Sequence, residues 1–189
     1  MSILVTGGAG FIGSHTCVEL LNAGYNVIGL DNFSNSKKDV LEKIEKITTK
    51  KIKFYEGNML DKEILSKIFH ENKIDCVIDF AAYKAVGESV AKPVEYYINN
   101  VSSVLTLLSV MKENNCKRLV FSSSATVYGD PEVVPITEDA KTGGTTNPYG
   151  TSKLFVEQIL KDLYNSDKEW DICILRYFNP IGAHESGLI

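Results

Sequence analysis

The chain has 189 residues, of which 44% are hydrophobic and 23% charged, a balance typical of one globular domain that buries its own core. Its net charge of −4 offers no basic surface for nucleic acid, and no apolar run approaches the roughly 20 residues of a membrane span. The first residues lack the regions of a signal peptide, so we expect a cytoplasmic protein with neither nucleic acid nor membrane as a partner.

Apolar runs rich in β-branched residues alternate with segments of helical period along the chain. The predicted strands are Ile3–Val5, Val27–Leu30, Ile52–Tyr55, Val77–Phe80, Leu119–Ser122 and Ile172–Arg176. The predicted helices between them are Phe11–Ala23, Lys37–Ile47, Lys62–Glu71, Ser102–Asn114 and Pro148–Tyr164. This alternation favours a three-layer α/β fold, a doubly wound parallel sheet in the order 3-2-1-4-5-6, with ligands above the carboxyl ends of the strands. No linker or repeat divides residues 1–189, so one domain is predicted.

The cysteines and histidines form no pattern of a metal site or a disulfide framework. The four thiols stand far apart and without a C-x-x-C pair, at Cys17, Cys76, Cys116 and Cys173. We interpret them as reduced core thiols. The three histidines are too widely spaced for a local metal motif, so no metal is expected.

A glycine-rich segment joins the first predicted strand to the first predicted helix. Gly7, Gly10 and Gly13 have G-x-x-G-x-x-G spacing. Glycines permit a tight turn and let the backbone approach a diphosphate, while the helix N-terminus offers N–H groups to the anion. Three glycines also suit a plain structural turn, so the motif needs its context.

That context is Asp31, which ends the second predicted strand about 20 residues further on. A carboxylate there accepts hydrogen bonds from ribose hydroxyls, which together with the glycines predicts a Rossmann-type dinucleotide site. Asp31 also repels a 2′-phosphate, so NAD is favoured over NADP, although Lys37 and Lys38 weaken this preference.

A second group of polar residues follows later in the chain. Tyr149 and Lys153 are four residues apart, hence on one face of the predicted helix that Asn147 and Pro148 begin. An ammonium and a nicotinamide cation nearby favour phenolate, which predicts Tyr149 as a base. Y-x-x-x-K spacing is common by chance, but the serine-rich segment Ser122–Ser124 at the end of the fifth strand supports a catalytic reading.

In this order, TGGAGFIG, SSSATVYGD and YGTSK resemble the extended short-chain dehydrogenase/reductases. The further segments LDNFSNS, KAVGESV and LRYFNPIGAH make the chain most similar to the UDP-hexose 4-epimerases of that family, over essentially its whole length. The resemblance implies an isomerase that inverts C4 of a UDP-hexose through a 4-keto intermediate, with NAD as cofactor. It also implies a homodimer, in which two helices from each partner form the interface.

The resemblance assigns roles to individual residues. Tyr149 is the implied proton acceptor, with Lys153 and Ser124 as the other catalytic residues, and Ser124, Tyr149 and Asn179 contact the sugar nucleotide. The residues around NAD, including those already named, are then Gly7, Gly10, Phe11, Ile12, Gly13, Asp31, Asn32, Phe33, Ser34, Asn35, Ser36, Asn58, Met59, Phe80, Ala81, Ala82, Tyr83, Lys84, Asn99, Ser124, Tyr149, Lys153 and Phe178.

The chain also departs from this family pattern. Asn58 stands where aspartate is usual, Asp79 stands where histidine is common, and Ala82-Tyr83 replaces a frequent Gly-Leu. Family members continue with a seventh strand and a smaller domain that holds the uridine diphosphate, so this chain is expected to lack the substrate domain. Two alternatives therefore stay open, namely a non-catalytic NAD-binding fragment and a related nucleotide-sugar epimerase with another hexose specificity.

The dimer expectation also has a basis in the residues. The predicted helices Ser102–Asn114 and Pro148–Tyr164 carry more apolar side chains than one buried stripe requires. An exposed remainder marks an interface, although these faces serve equally well to cover the sheet.

Overall fold

The computed structural model describes residues 1–189. Its six strands form one sheet in the order β3-β2-β1-β4-β5-β6, and all neighbouring strands are parallel. The strands are β1 Ser2–Thr6, β2 Asn26–Asp31, β3 Lys53–Glu56, β4 Cys76–Asp79, β5 Arg118–Ser124 and β6 Asp171–Tyr177. The predicted fold class and strand order are therefore confirmed.

Seven α-helices accompany the sheet. They are α1 Phe11–Asn22, α2 Asp39–Thr48, α3 Lys62–Glu71, α4 Val86–Ala91, α5 Pro93–Tyr97, α6 Ser103–Glu113 and α7 Pro148–Ser166. All five predicted helices are present, and their ends lie within two residues of the predicted bounds. None of the seven has both the length and the apolar character needed to cross a membrane.

The segment between β4 and α6 was not predicted to be helical. It contains α4, α5 and a π-helical turn at Ile98–Ser102 that leads directly into α6. These helices were not predicted because Gly87 and Pro93 are residues that usually interrupt helices. In the structure, Pro93 occupies the first turn of α5, where proline is well tolerated. Single π turns within helices are frequent at functional sites.

The core lies on both faces of the sheet. On one face, 20 buried residues form a cluster that includes Leu4 and Phe121 and that α3, α6 and α7 cover. On the other, eight buried residues that include Val5 pack with α1 and α2. Neighbouring residues of β1 thus serve opposite faces, as the alternation of side chains along a strand requires.

The edge strand β6 differs from the central strands. None of its seven residues is buried, and they alternate between exposed and half-buried as far as Arg176, whereas four of the five residues of β1 are buried. Cys173 lies on this edge and is exposed, while Cys17, Cys76 and Cys116 are buried and all four are free thiols. The prediction of four core thiols was therefore wrong for Cys173, because its strand is covered on one face only.

Candidate active site

The glycine loop between β1 and α1 is packed so tightly that side chains do not fit. Gly7 has a φ of 65°, in the left-handed region, and a Cβ there would lie 2.9 Å from the backbone nitrogen of Ala81. A Cβ on Gly13 would lie 2.1 Å from the carbonyl oxygen of Gly7. The loop thus brings the start of α1 directly against the end of β4.

The N-terminus of α1 is open to an anion. Gly10 is its N-cap, no side chain caps it, and its first turn carries no acidic residue. The first N–H groups of a helix have no partner within the helix and lie at the positive end of its dipole. Phe11 in this turn is exposed, so the start of α1 lies at the protein surface, where an anion has access to it.

Asp31 ties the glycine loop to the end of β2. Its Oδ2 accepts a hydrogen bond from the backbone N–H of Ala9 at 3.0 Å, and its Oδ1 accepts from Phe33 N at 2.8 Å and Ser36 Oγ at 3.0 Å. A carboxylate has about four acceptor positions, so Asp31 keeps one for a ribose hydroxyl. Its structural role was not foreseen from the sequence.

Lys38 lies near Asp31 in sequence but is engaged elsewhere. Its ammonium pairs with Glu56 at 2.5 Å and lies 5.3 Å from the ring centroid of Phe33. These contacts hold the Lys38 charge at the end of β3.

The residues predicted to flank adenine follow β3 and adjoin Asp31, since the N–H of Gly57 donates to the carbonyl oxygen of Asp31 at 3.0 Å. The amide oxygen of Asn58 accepts from the backbone N–H of Leu60 at 2.9 Å. The side chain of Met59 is buried in the larger core cluster. Asn58, which is half-buried, is therefore the member of the pair whose side chain reaches the surface near Asp31.

The helix α7 presents Tyr149 and Lys153 to the end of β5. Asn147 caps the helix by accepting from Gly150 N at 2.9 Å, and Pro148 occupies its first turn. The ammonium of Lys153 donates to the carbonyl oxygen of Ser122 at 2.7 Å, which fixes α7 against β5. The predicted cap and the shared face of Tyr149 and Lys153 are thus present.

Ser124 ends β5 and is buried, with 7% of its surface exposed. Its Oγ accepts from the backbone N–H of Thr126 at 3.2 Å and from Thr126 Oγ1 at 2.9 Å. Both contacts use Oγ as an acceptor, so its own hydrogen remains available to donate, and the oxygen of Tyr149 is the acceptor that this chain offers it. Burial gives that donor a low-dielectric setting in which a hydrogen bond is stronger.

Burial dominates the ionisation of the two residues on α7. It raises the pKa of Tyr149 above its usual value, and the Ser124 hydroxyl opposes the rise. It lowers the pKa of Lys153 to about 8, against the opposing effect of Asp79. The sequence predicted that the Lys153 ammonium and a nicotinamide cation together stabilise the phenolate of Tyr149, and among the groups of this chain Ser124 is the one that lowers the Tyr149 pKa.

The remaining predicted residues lie around the same edge of the sheet. The rings of Phe80 and Tyr177, at the ends of β4 and β6, have centroids 6.3 Å apart. A cleft lined by Phe11, Ile12 and Tyr177 separates α1 from the segment after β6. The residues at the outer surface of this edge, all exposed, are Asn32, Ser34, Asn35, Lys84, Phe178 and Asn179.

Asn100 is a scaffold residue that sequence reasoning missed. It lies in the π turn, is 2% exposed, accepts from Tyr83 N at 2.8 Å and donates to Tyr83 O at 2.9 Å. Its Nδ2 also donates to Ser152 Oγ on α7 at 3.1 Å, and its Oδ1 accepts from Asn99 at 3.0 Å. Asn100 thereby joins the Ala82-Tyr83 segment to α7. The pair Asn99-Asn100, just before the predicted helix Ser102–Asn114, was the available signal.

A second missed group lies behind Ser124. The buried carboxylate of Glu157 on α7 accepts from Ser123 Oγ at 2.6 Å and from two nitrogens of Arg176 at 3.0 and 2.8 Å. Arg176 on β6 also donates to the hydroxyl of Tyr128 at 3.0 Å. Charge-assisted bonds of this kind are the stronger class of protein hydrogen bond, so α7, β5 and β6 are held together close to Ser124.

The comparison with known families decides where this arrangement belongs. Residues 3–188 match the model of the NAD dependent epimerase/dehydratase family. The chain belongs to that family. Its strand order, glycine loop and tyrosine–lysine turn are therefore features of a family member.

Individual relatives agree with this assignment. The chain is 64% identical over 189 residues to a UDP-glucose 4-epimerase of Pasteurella multocida, covering 100% of the chain and 56% of the relative. A UDP-glucose 4-epimerase structure from Bifidobacterium longum in complex with NAD+ and UDP has 61% identity and a TM-score of 0.99, covering 100% of this chain and 56% of that one. One from Stenotrophomonas maltophila, with bound NAD and formylated UDP-arabinopyranose, has 46% identity, a TM-score of 0.97 and the same coverage. The chain thus spans little more than half the length of these relatives.

Proposed function

We propose that this chain binds NAD and supplies the catalytic residues for the interconversion of UDP-glucose and UDP-galactose at C4. The observation that carries the proposal is the meeting of three features at one sheet edge. These are the open N-terminus of α1, the buried Ser124 and the Tyr149–Lys153 turn. The similarity to UDP-glucose 4-epimerases supports this choice of reaction within the family.

The glycine loop and its neighbours fit a dinucleotide. A Cβ on Gly7 or Gly13 would collide with backbone, and the uncapped start of α1 leaves N–H groups for the diphosphate. Asp31 keeps an acceptor position for the adenosine ribose. When bound, NAD accepts a hydride from the sugar and returns it.

The proposed chemistry at the sugar is a proton transfer paired with that hydride transfer. Tyr149 accepts the proton of the 4-hydroxyl while hydride leaves C4, so that an O–H and a C–H bond break and a C=O bond forms. When substrate is bound, the hydroxyl hydrogen of Ser124 is proposed to bond the same oxygen as it changes from hydroxyl to carbonyl. Return of hydride to the other face, with the proton restored from Tyr149, inverts C4 without net redox change.

Lys153 supports Tyr149 from one helical turn away. Its ammonium has three donors, and Ser122 takes one of them, so two remain for the ribose beside the nicotinamide. Because burial raises the pKa of Tyr149, the phenol needs a positive charge close to its oxygen to act as a base near neutral pH. We propose that the bound nicotinamide cation provides most of that charge.

We propose that the residues that bind the uridine diphosphate lie in the portion that the relatives have beyond the matched residues. Contacts remote from the reacting carbon contribute on the order of 7–11 kcal/mol through orientation. The 189 residues by themselves are therefore expected to epimerise UDP-hexoses slowly. If they bind NAD and never turn over, even when the remaining portion is supplied, the alternative of a non-catalytic NAD-binding module stands.

Joining the chain to the portion of the Pasteurella multocida relative that follows the matched residues tests the proposal. We expect this hybrid to interconvert UDP-glucose and UDP-galactose, and Tyr149→Phe to lower kcat by about 10²–10⁴-fold. Tyr25→Phe is the matched control, because Tyr25 lies before β2 at the opposite edge of the sheet. An active Tyr149→Phe hybrid would remove the proposed base, and activity on UDP-N-acetylhexosamines alone would favour another hexose specificity.

A further inference from the structure

A buried carboxylate lies beneath the proposed catalytic residues with one of its oxygens unpaired. Asp79, the last residue of β4, is 1% exposed. Its Oδ1 accepts from Thr6 Oγ1 at 2.5 Å and from Ala81 N at 3.2 Å, whereas its Oδ2 has no hydrogen-bond partner. Buried polar atoms are nearly always hydrogen-bonded, so an unpaired carboxylate oxygen calls for a physical reason.

The strand register places Asp79 on the same face of the sheet as α7. Its register partner in β1 is Thr6 and its partner in β5 is Phe121, whose ring lies in the core cluster that α7 covers. The ammonium of Lys153 lies 4.8 Å from the centroid of that ring. Asp79 and Lys153 thus both adjoin Phe121, one as its register partner on the next strand and the other over its ring. The charge of Asp79 acts on Lys153, although the two groups form no direct ion pair.

Few other charges act on this pair. Tyr149 lies one turn before Lys153 on α7, and its phenol is neutral at ordinary pH because burial raises its pKa. Glu157 lies one turn after it, but its carboxylate is already held by Arg176 at 2.8 Å. From β1 only the neutral Thr6 hydroxyl faces Asp79, and from β5 the nearest contact of Lys153 is the carbonyl oxygen of Ser122. Asp79 is therefore the carboxyl group that acts on Lys153 and that no other cation pairs.

We propose that Asp79 is a positioning residue that keeps Lys153 charged beside Tyr149, so that β4 as well as α7 shapes the catalytic site. The inference rests on the proposed role of Lys153 in catalysis. Burial alone disfavours both charges, lowering the pKa of Lys153 to about 8 and raising the pKa of Asp79. Each ion opposes this effect on the other, because an opposite charge nearby favours the ionised form. The free Oδ2 is the oxygen that remains to do so.

The variant Asp79→Asn tests the proposal because it removes the charge while its side-chain oxygen still accepts from Thr6 and Ala81. We would label the 189-residue chain with ¹³C at the lysine Cε, follow the Lys153 signal by NMR against pH, and identify it by its loss in Lys153→Met. The Lys153 titration midpoint should move to lower pH in Asp79→Asn. An unchanged midpoint would overturn the proposal.

The matched control is Asp75→Asn, the same chemical change just before β4 begins. Asp75 accepts from Ser2 N at 2.7 Å at the opposite edge of the sheet, so its loss should leave the Lys153 midpoint in place. A similar fall in this variant would show a general charge effect and contradict the assignment to Asp79.

A reciprocal measurement covers the case in which Asp79→Asn does not fold. Coupling between two sites acts equally in both directions, so Lys153→Met should raise the titration midpoint of Asp79, read from ¹³C at the aspartate Cγ. An Asp79 signal that does not respond to Lys153→Met would also overturn the proposal. Neither measurement needs substrate, so an inactive hybrid would count against the proposed function and leave the coupling intact.

The pH dependence of activity distinguishes the proposed role of Asp79 from a purely structural one. If catalysis requires charged Lys153, the activity of the hybrid falls as pH rises through the Lys153 midpoint. Asp79→Asn should then shift this alkaline limb to lower pH, whereas a loss of packing would lower activity at every pH. An alkaline limb that stays in place in Asp79→Asn would contradict the proposal.

Discussion

The two ends of the carboxyl edge of the sheet differ in how they meet a ligand. Around β1 and β2 the protein offers backbone N–H groups at the start of α1 and one partly exposed carboxylate, Asp31. Around β4 and β5 it offers buried side chains, those of Ser124, Lys153 and Asp79. Binding a diphosphate needs a shape that backbone alone provides, whereas moving a proton needs side chains whose ionisation burial has changed.

The largest effect is expected from adding a side chain to the glycine loop. Gly13→Ala should abolish NAD binding, because its Cβ would lie 2.1 Å from the carbonyl oxygen of Gly7 and would push the loop from its place. Isothermal titration with NAD measures the loss. Gly87→Ala is the control, because a Cβ at this helical position meets no atom within 4 Å. Undiminished NAD affinity in Gly13→Ala would show that the loop is not the diphosphate site.

The second prediction concerns the hydrogen bonds of Glu157, which hold α7, β5 and β6 together close to Ser124. Glu157→Gln should lower the free energy of unfolding by roughly 3–5 kcal/mol, because it leaves Arg176 and Ser123 without a charged partner. The pKa of Glu157 is lowered by these contacts, so its contribution is present above the unfolded-state pKa and is lost as pH falls through the folded-state value. Urea unfolding at several pH values should therefore show less acid destabilisation in the variant. Equal acid sensitivity of both proteins would contradict this account.

The third prediction concerns the preference for NAD over NADP at Asp31. NAD should bind more tightly than NADP, and Asp31→Ala should narrow that gap about tenfold, since one charge-assisted hydrogen bond and one repulsion are lost. The same change frees the N–H groups of Ala9 and Phe33, so some NAD affinity should be lost as well. Titration with both cofactors measures this, and a gap that is unchanged or reversed would remove Asp31 from the ribose site.

The fourth prediction concerns an apolar surface away from the carboxyl edge of the sheet, and it is expected to affect stability least. Val94, Tyr97, Ile98 and Phe155 line an apolar groove, and the rings of Tyr97 and Phe155 stack with centroids 5.8 Å apart. We propose that this groove is the homodimer interface. Phe155→Glu should give a monomer in sedimentation with a similar unfolding temperature. Val133→Glu, on an exposed loop, should not change the association state. A wild-type monomer would refute the interface.

The helices expected at that interface illustrate how far the sequence could be read. The apolar pattern of α6 was attributed partly to an interface, yet Val104, Leu107 and Val110 are buried in the core and Leu105 is the exposed member. Periodicity shows which residues share a face but not which neighbour covers that face. The exposed apolar residues of α5 could not be anticipated because Pro93 concealed that helix.

Some residues of the candidate site could likewise be predicted from the sequence, and others could not. The glycine spacing, Asp31 and the Tyr149–Lys153 turn could be predicted because each depends on local geometry within one loop or one helical turn. Asn100, Glu157 and Asp79 could not, because their roles arise from contacts with residues up to 73 positions away in the chain. The direction of the Tyr149 pKa was also out of reach, since it depends on burial that no local pattern reports.

The central claim, that NAD lies beside Tyr149 and makes it a base, can be tested on the 189 residues without any sugar nucleotide. The measurement is the ultraviolet phenolate titration of the wild type minus that of Tyr149→Phe, with and without NAD. Without NAD the Tyr149 midpoint should lie above the usual tyrosine value, since burial raises its pKa. Saturating NAD should move it to lower pH, because the nicotinamide cation stabilises phenolate. NAD that binds tightly yet leaves the midpoint where it was would contradict the account.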